Sequence, residues 1–356
     1  MKKSLIVFLI LIIIFTVVRF FSTNKNSLIK DIPKKTSSNV NQNIIKSNAS
    51  PISIDYLRSL NIVSEKVKIE EELADGSNYK KYIASYLSEG NKVYGLLTVP
   101  IDNEPVNGFP AIVFNHGYIP PSQYQTTEGY VSYVDYLAKN GFVVFKIDFR
   151  GNGRSEGDPS GSYFSSAYTI DVISALKSLQ KFEKIDPKRI GVWGHSMAGN
   201  ALLRAMLVVS KEIKAGVIWA GAVYSYEDFV KYKISDNSYV HRPFESKEGV
   251  SQKNREISSE IQNIRSNPQA INFNNDFWTS ISLTKNIKYL LSPLQINHST
   301  SDPVVDIGYS KDLVKVLEDN KKVYEFFEYE GGGHNITSPY FEQAMERTVN
   351  FFKKNL

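Results

Sequence analysis

Five apolar runs, at residues 111–114, 142–147, 190–193, 215–220 and 294–296, show no apolar–polar alternation. A strand with one wet face alternates; a strand without alternation is buried on both faces. The segments between these runs supply the cover. Residues 130–138 have a helical pattern, Ile170, Ile173, Leu176 and Leu179 recur at near-helical spacing, and 201–209 follow suit. Strand–helix alternation of this kind predicts an α/β fold with a mostly parallel central sheet and helices on both faces. Ahead of it, 67–69, 82–87 and 93–99 read as antiparallel strands, with Ser88-Glu89-Gly90-Asn91 as the turn between the last two. Two further helices, about 307–317 and 340–352, flank a final strand at 323–329. Between 223 and 289 the rhythm breaks. That stretch is polar and lacks a buried-strand run, yet it holds Tyr224, Tyr226, Phe229, Tyr239, Phe244, Phe273, Phe277 and Trp278. So many aromatics need burial, which predicts a helical cap insertion above the sheet.

The junction between the third run and its helix reads Gly194-His195-Ser196-Met197-Ala198-Gly199. Small residues around a serine at a strand-to-helix turn permit a sharp, strained bend. Such a bend lifts the hydroxyl above the sheet, beside the first helical N–H groups. Ser196 is therefore the candidate nucleophile.

A serine hydroxyl needs a base to take its proton, and the base needs a third group to orient it. The chain has five histidines. His195 adjoins Ser196 on the turn, so its ring points elsewhere. His116 ends a strand, His298 lies in or beside one, and His241 falls in the cap. His334, in Gly331-Gly332-Gly333-His334-Asn335, sits on a loop between the last strand and the last helix and is the candidate base. For the acid, Asp302 follows closely on the strand at 294–296, where an α/β sheet presents functional groups. Asp306 ranks below it, since an aspartate there can cap a helix. The order Ser196, Asp302, His334 is that of nucleophile-elbow hydrolases. Two N–H donors must meet the oxyanion. Met197 supplies one from the helix start. Tyr118, after Gly117, supplies the other from its backbone, with its phenol as an alternative.

The first residues differ in kind. Lys2-Lys3 precede an unbroken apolar run over 5–18, and Phe20-Phe21 extend it past Arg19. No small-residue cleavage site follows, so 1–21 predict an uncleaved membrane anchor, with a cleaved signal and a secreted protein as the alternative. Lysines 2 and 3 would stay inside, sending the remainder out. Residues 22–50, rich in Asn, Ser and Lys, read as a flexible stalk, leaving 51–356 as the folded domain. The net charge of +5 is mild and spread out, which excludes a nucleic-acid surface. The chain has no cysteine, so thiol nucleophiles and disulfides are excluded, and no metal-like spacing or cofactor motif is present.

These motifs resemble the α/β-hydrolase superfamily, and within it the catalytic domain of the prolyl oligopeptidase family, with its dipeptidyl and acylaminoacyl peptidases. The resemblance runs from about Glu70 to the C-terminus. It includes Asn115-His116-Gly117, the stretch from Asp148 to Ser155, and Asp186-Pro187-Lys188-Arg189-Ile190 leading into the elbow. It continues through Asp302-Pro303-Val304-Val305 and Gly333-His334-Asn335. The chain departs at Ala198, where the family has glycine, and at His298-Ser299-Thr300-Ser301-Asp302, where His-Gly-Thr-x-Asp is usual. The β-propeller that often precedes this domain has no counterpart. The resemblance implies a serine peptidase on small peptides. A carboxylesterase on small esters shares the same core, and a non-catalytic binding module on a hydrolase fold is the alternative of another class. Phe277, Trp278 and Arg242 of the insertion are the candidate substrate-pocket residues.

Overall fold

Every apolar run becomes a strand of a single sheet. The computed structural model describes residues 50–101, 104–159, 163–232, 263–264 and 267–356, which form nine strands. In chain order they are β1 (Lys68–Leu73), β2 (Tyr79–Ser88), β3 (Asn91–Pro100), β4 (Phe109–Asn115), β5 (Val143–Ile147), β6 (Ile185–His195), β7 (Gly216–Trp219), β8 (Leu294–Ser299) and β9 (Tyr324–Tyr329). Their spatial order is β1-β2-β3-β5-β4-β6-β7-β8-β9. The first three pair antiparallel, β3 meets β5 antiparallel, and from β5 to β9 every pairing is parallel. The hydropathy change at about residue 100 thus marks the change from antiparallel to parallel pairing.

The helices are α1 (Ile54–Ser59), α2 (Val131–Lys139), α3 (Ala167–Leu179), α4 (Met197–Val208), α5 (Asp228–Lys231), α6 (Asp276–Ile281), α7 (Gly308–Asp319) and α8 (Phe341–Asn355). The parallel strands feed two cores. On β4, Ala111 and Val113 pack with Leu57 of α1, Leu176 of α3, Leu202 of α4 and Leu313 of α7. Ile112 and Phe114 face the other way, toward Leu137 of α2 and Val349 of α8. Burial on both faces explains the lack of alternation, since each fully buried aliphatic side chain contributes about 1.5–3 kcal/mol. The sequence gives no sign of α1. Ser53 caps it by accepting the Tyr56 N–H at 3.3 Å, and Arg58 donates to the carbonyls of Leu207 and Val208 at the end of α4.

The insertion leaves the sheet after β7 and returns to its own start. The Leu283 and Thr284 N–H groups both bond the Tyr224 carbonyl, at 2.9 and 3.1 Å. Ile281, Leu283 and Ile287 then enter the main core. The part of the cap at 233–262 lies outside the described residues, as do the predicted anchor at 1–21 and the stalk apart from Ser50. Among the described residues no helix is long and apolar enough to cross a membrane.

Candidate active site

Chain order reverses at β4: the chain steps from β4 to β5 on one side, then to β6 on the other. Loops after β4 and β6 therefore open at the switch point, where α/β sheets bind ligands. Ser196 stands there, between β6 and α4, with φ 55° and ψ −123°. A residue with a Cβ is strained in that region, at a cost of about 1–3 kcal/mol. Its surroundings hold it. The Ser196 N–H donates to the Trp219 carbonyl at 2.9 Å, and a Cβ on Gly194 would sit 3.1 Å from the Ala198 carbonyl oxygen. Ala198 itself is fully buried inside α4, so the departure from the family glycine falls where a methyl group fits.

The loop after β4 comes directly alongside. A Cβ on Gly117 would lie 3.2 Å from the Ser196 Cβ, so only glycine lets this backbone pass. Behind it His116 is buried, stacked on Tyr124 at 4.3 Å, and burial holds its imidazole down to about 4. Neither the Met197 nor the Tyr118 N–H donates to another group among the described residues. Both predicted oxyanion donors are unspent. The Tyr118 side chain is 37% exposed at the rim of the site.

Asp302 and His334 meet. The His334 Nδ1 is 2.7 Å from Asp302 Oδ2, which makes Nδ1 the protonated nitrogen and leaves Nε2 as a lone pair. The Asp302 side chain is fully buried. Its Oδ1 accepts the N–H groups of Val304 and Val305 at 2.8 and 3.0 Å, and Oδ2 also faces His298 Nε2 at 3.3 Å. Burial alone would push this carboxyl up. The hydrogen bonds from His298 and His334 outweigh that and hold it well below the usual carboxylate range. Asp306 is exposed, and its carboxylate accepts the Gly308 N–H at 2.8 Å at the start of α7.

Three residues that sequence reasoning passed over complete the framework. His298 shares its one Nε2 proton between the Val305 carbonyl at 3.0 Å and Asp302 Oδ2 at 3.3 Å while its Nδ1 accepts from Ser310 Oγ at 2.7 Å, which fixes its ring against Asp302. The His195 ring faces His334: its Nε2 is 2.9 Å from the His334 carbonyl oxygen. Tyr130 sits on the far side of the His195 ring, with Oη 2.7 Å from Nδ1. A buried histidine at a strand end was the one available signal. Tyr130, 65 residues from His195, had none. Among the described residues no hydrogen bond joins Ser196 Oγ to the His334 ring; the link between them runs through His195.

Of the candidate pocket residues, Phe277 and Trp278 pack against each other. Trp278 is 1% exposed and packs its ring on Tyr226, Phe273 and Phe277. Phe277 is half-buried beside it. Arg242 and His241 lie outside the described residues.

Strand order, elbow and loop placement define the α/β-hydrolase class. The family model for serine aminopeptidase, S33, matches residues 109–339, and the chain belongs to that family of serine hydrolases. Among curated proteins, an uncharacterized peptidase of Bacillus subtilis is 27% identical over 153 residues, 41% of this chain and 54% of that protein. The chain spans about half or less of the length of the curated relatives it first matches. Two solved structures share the fold. Pyrococcus horikoshii acylaminoacyl peptidase has a TM-score of 0.59 at 19% identity, covering 79% of this chain and 42% of that one. Acetyl xylan esterase from Paenibacillus sp. R4 has a TM-score of 0.59 at 18% identity, covering 83% of this chain and 91% of that one.

Proposed function

We propose that Ser196, Asp302 and His334 are the catalytic triad of a serine peptidase that cleaves small peptides through an acyl-enzyme. The observation that carries this reading is the 2.7 Å bond between Asp302 and His334, set on a loop bound to the residue beside the strained Ser196. Ser196 Oγ attacks the acyl carbonyl carbon while His334 Nε2 takes its proton. The charge on the carbonyl oxygen is met by the N–H groups of Met197 and Tyr118. His334 then gives the proton to the leaving amine as the carbon–nitrogen bond breaks. Water, deprotonated by the same imidazole, releases the acid and restores Ser196. Asp302 keeps Nδ1 protonated and balances the imidazolium. The insertion at 223–289 selects substrates by size. The anchor at 1–21 holds the domain outside the membrane, supported by Lys2-Lys3 and the apolar run behind them.

A carboxylesterase is the second reading, favoured by one observation. The fold alignment with an acetyl xylan esterase covers 83% of this chain, against 79% for an acylaminoacyl peptidase, at the same TM-score of 0.59. Labelling with a fluorophosphonate tests the triad: wild type is labelled and Ser196→Ala is not, whereas labelling of the folded variant refutes it. A panel of peptidyl amides against short-chain esters then decides the bond. Clear amide cleavage supports the peptidase; ester turnover with no amide cleavage makes the protein an esterase.

A further inference from the structure

The ring of His195 is buried between two loops that the reaction must hold in register. Its Nε2 faces the His334 carbonyl oxygen at 2.9 Å, and its Nδ1 faces Tyr130 Oη at 2.7 Å. Tyr130 Oη in turn accepts the Gly117 N–H at 2.8 Å. The direction of this chain is fixed by chemistry. A carbonyl oxygen only accepts, so Nε2 carries the proton; Nδ1 is then a lone pair, and the Tyr130 O–H must donate to it. Burial, and after it the neighbouring His334 ring, hold the His195 imidazole down to about 3, so the neutral tautomer persists wherever the enzyme works.

The chain leaves little slack. A Cβ on Gly117 would come within 2.7 Å of Tyr130 Oη and 2.8 Å of His195 Nδ1. Tyr130 itself takes a left-handed conformation, φ 55° and ψ 19°, just before α2, where its side chain makes no capping bond. The residue accepts backbone strain and spends its hydroxyl here.

We propose that Tyr130 and His195 are positioning residues for acyl transfer, a one-way hydrogen-bond chain that locks the loop carrying the Tyr118 donor to the loop carrying His334. The proposal rests on the triad reading above. Gly117 immediately precedes Tyr118, and the His334 carbonyl belongs to the base itself. Loosening either end would misplace a reacting group by a fraction of an ångström without touching substrate-binding surface. Rate should suffer and affinity should not.

Tyr130→Phe removes one hydroxyl and strands the Gly117 N–H and His195 Nδ1. It should lower kcat about 10- to 100-fold with KM within about twofold, and slow fluorophosphonate labelling by the same factor. His195→Gln and His195→Leu fill similar volumes, but only glutamine can donate to the His334 carbonyl. Glutamine should retain several-fold more kcat than leucine at matched thermal stability. Adding Tyr130→Phe to His195→Leu should cost little more, because both cut one chain. A Tyr130→Phe enzyme with wild-type kcat, equal activity in the glutamine and leucine variants, or a double variant whose loss is the product of the single ones would overturn the proposal. Should Tyr130→Phe fail to fold, the glutamine–leucine comparison decides alone. Ser196→Ala run alongside separates the two claims: its labelling sinks the triad, whereas its silence with an unaffected Tyr130→Phe sinks only the chain.

Discussion

The loop after β5 and the loop after β8 each bury an aspartate at the carboxyl end of the sheet, and they treat it in opposite ways. Asp302, after β8, receives two backbone N–H groups and two imidazoles and is held ionised. Asp148, after β5, receives the hydroxyls of Tyr124 and Thr126, at 2.9 and 2.5 Å. Burial pushes its carboxyl up to about 6, against the opposing pull of those hydroxyls and of Lys146 and Arg154. Depth alone therefore does not set how readily a carboxyl ionises. Donors do. Four N–H groups offset desolvation at Asp302, whereas two hydroxyls and two cations fall short at Asp148. Asp148 instead ties down the stretch that runs from Tyr118 to Tyr130, through Tyr124 and Thr126.

The sharpest attack on this contrast is Asp302→Asn. The amide keeps the volume, but it favours the wrong His334 tautomer and should cost on the order of 10⁴ in kcat. Steady-state rates of a folded variant within tenfold of wild type would remove Asp302 from the mechanism. Next comes His298→Leu, which deletes one of the two imidazoles facing Asp302. A loss of about 10- to 100-fold in kcat is expected, and an unchanged rate would reduce His298 to packing.

Asp148→Asn tests the other half of the comparison, and through stability rather than rate. A carboxyl whose folded value is raised binds more protons in the native state between about pH 4 and pH 6. Its contribution therefore falls as pH rises through that window and is a penalty above it, of about 3 kcal/mol at most. Asp302 has the opposite sign: its contribution is full above the unfolded carboxylate value and is lost as pH falls through its depressed folded value. Relative to wild type, Asp148→Asn should gain stability between pH 4.5 and pH 7 in urea titrations. No relative change, or a relative loss, would contradict the raised value. The smallest effect belongs to Asp306→Asn. An exposed carboxylate that serves only the Gly308 N–H should change kcat less than about twofold.

How much of this was legible varies with the range of the signal. The nine strands and the long helices follow from hydropathy, because burial on one face or two is written into neighbouring residues. Helix α1 was not, since six residues give too few turns to show a period. The elbow was legible because its constraint is local: a strand, a turn of small residues, a helix. Asp302 was separable from Asp306 by its place after β8. His298 stands four residues before Asp302, yet on a strand that spacing carries no rule, and only the turn at Ser299–Asp302 brings the ring over the carboxylate.

What the chain determined by itself was the layered sheet, the serine on its bend, and an aspartate and a histidine on loops at the sheet's carboxyl edge. Each of these depends on residues within a few positions of one another. The tertiary structure alone decided which nitrogen of His195 and of His334 carries a proton, why the Asp302 carboxyl is held low while that of Asp148 is pushed up, and that Tyr130 reaches His195. Those outcomes depend on hydrogen-bond partners 32, 65 and 139 residues apart, whose geometry exists only once both faces of the sheet are packed.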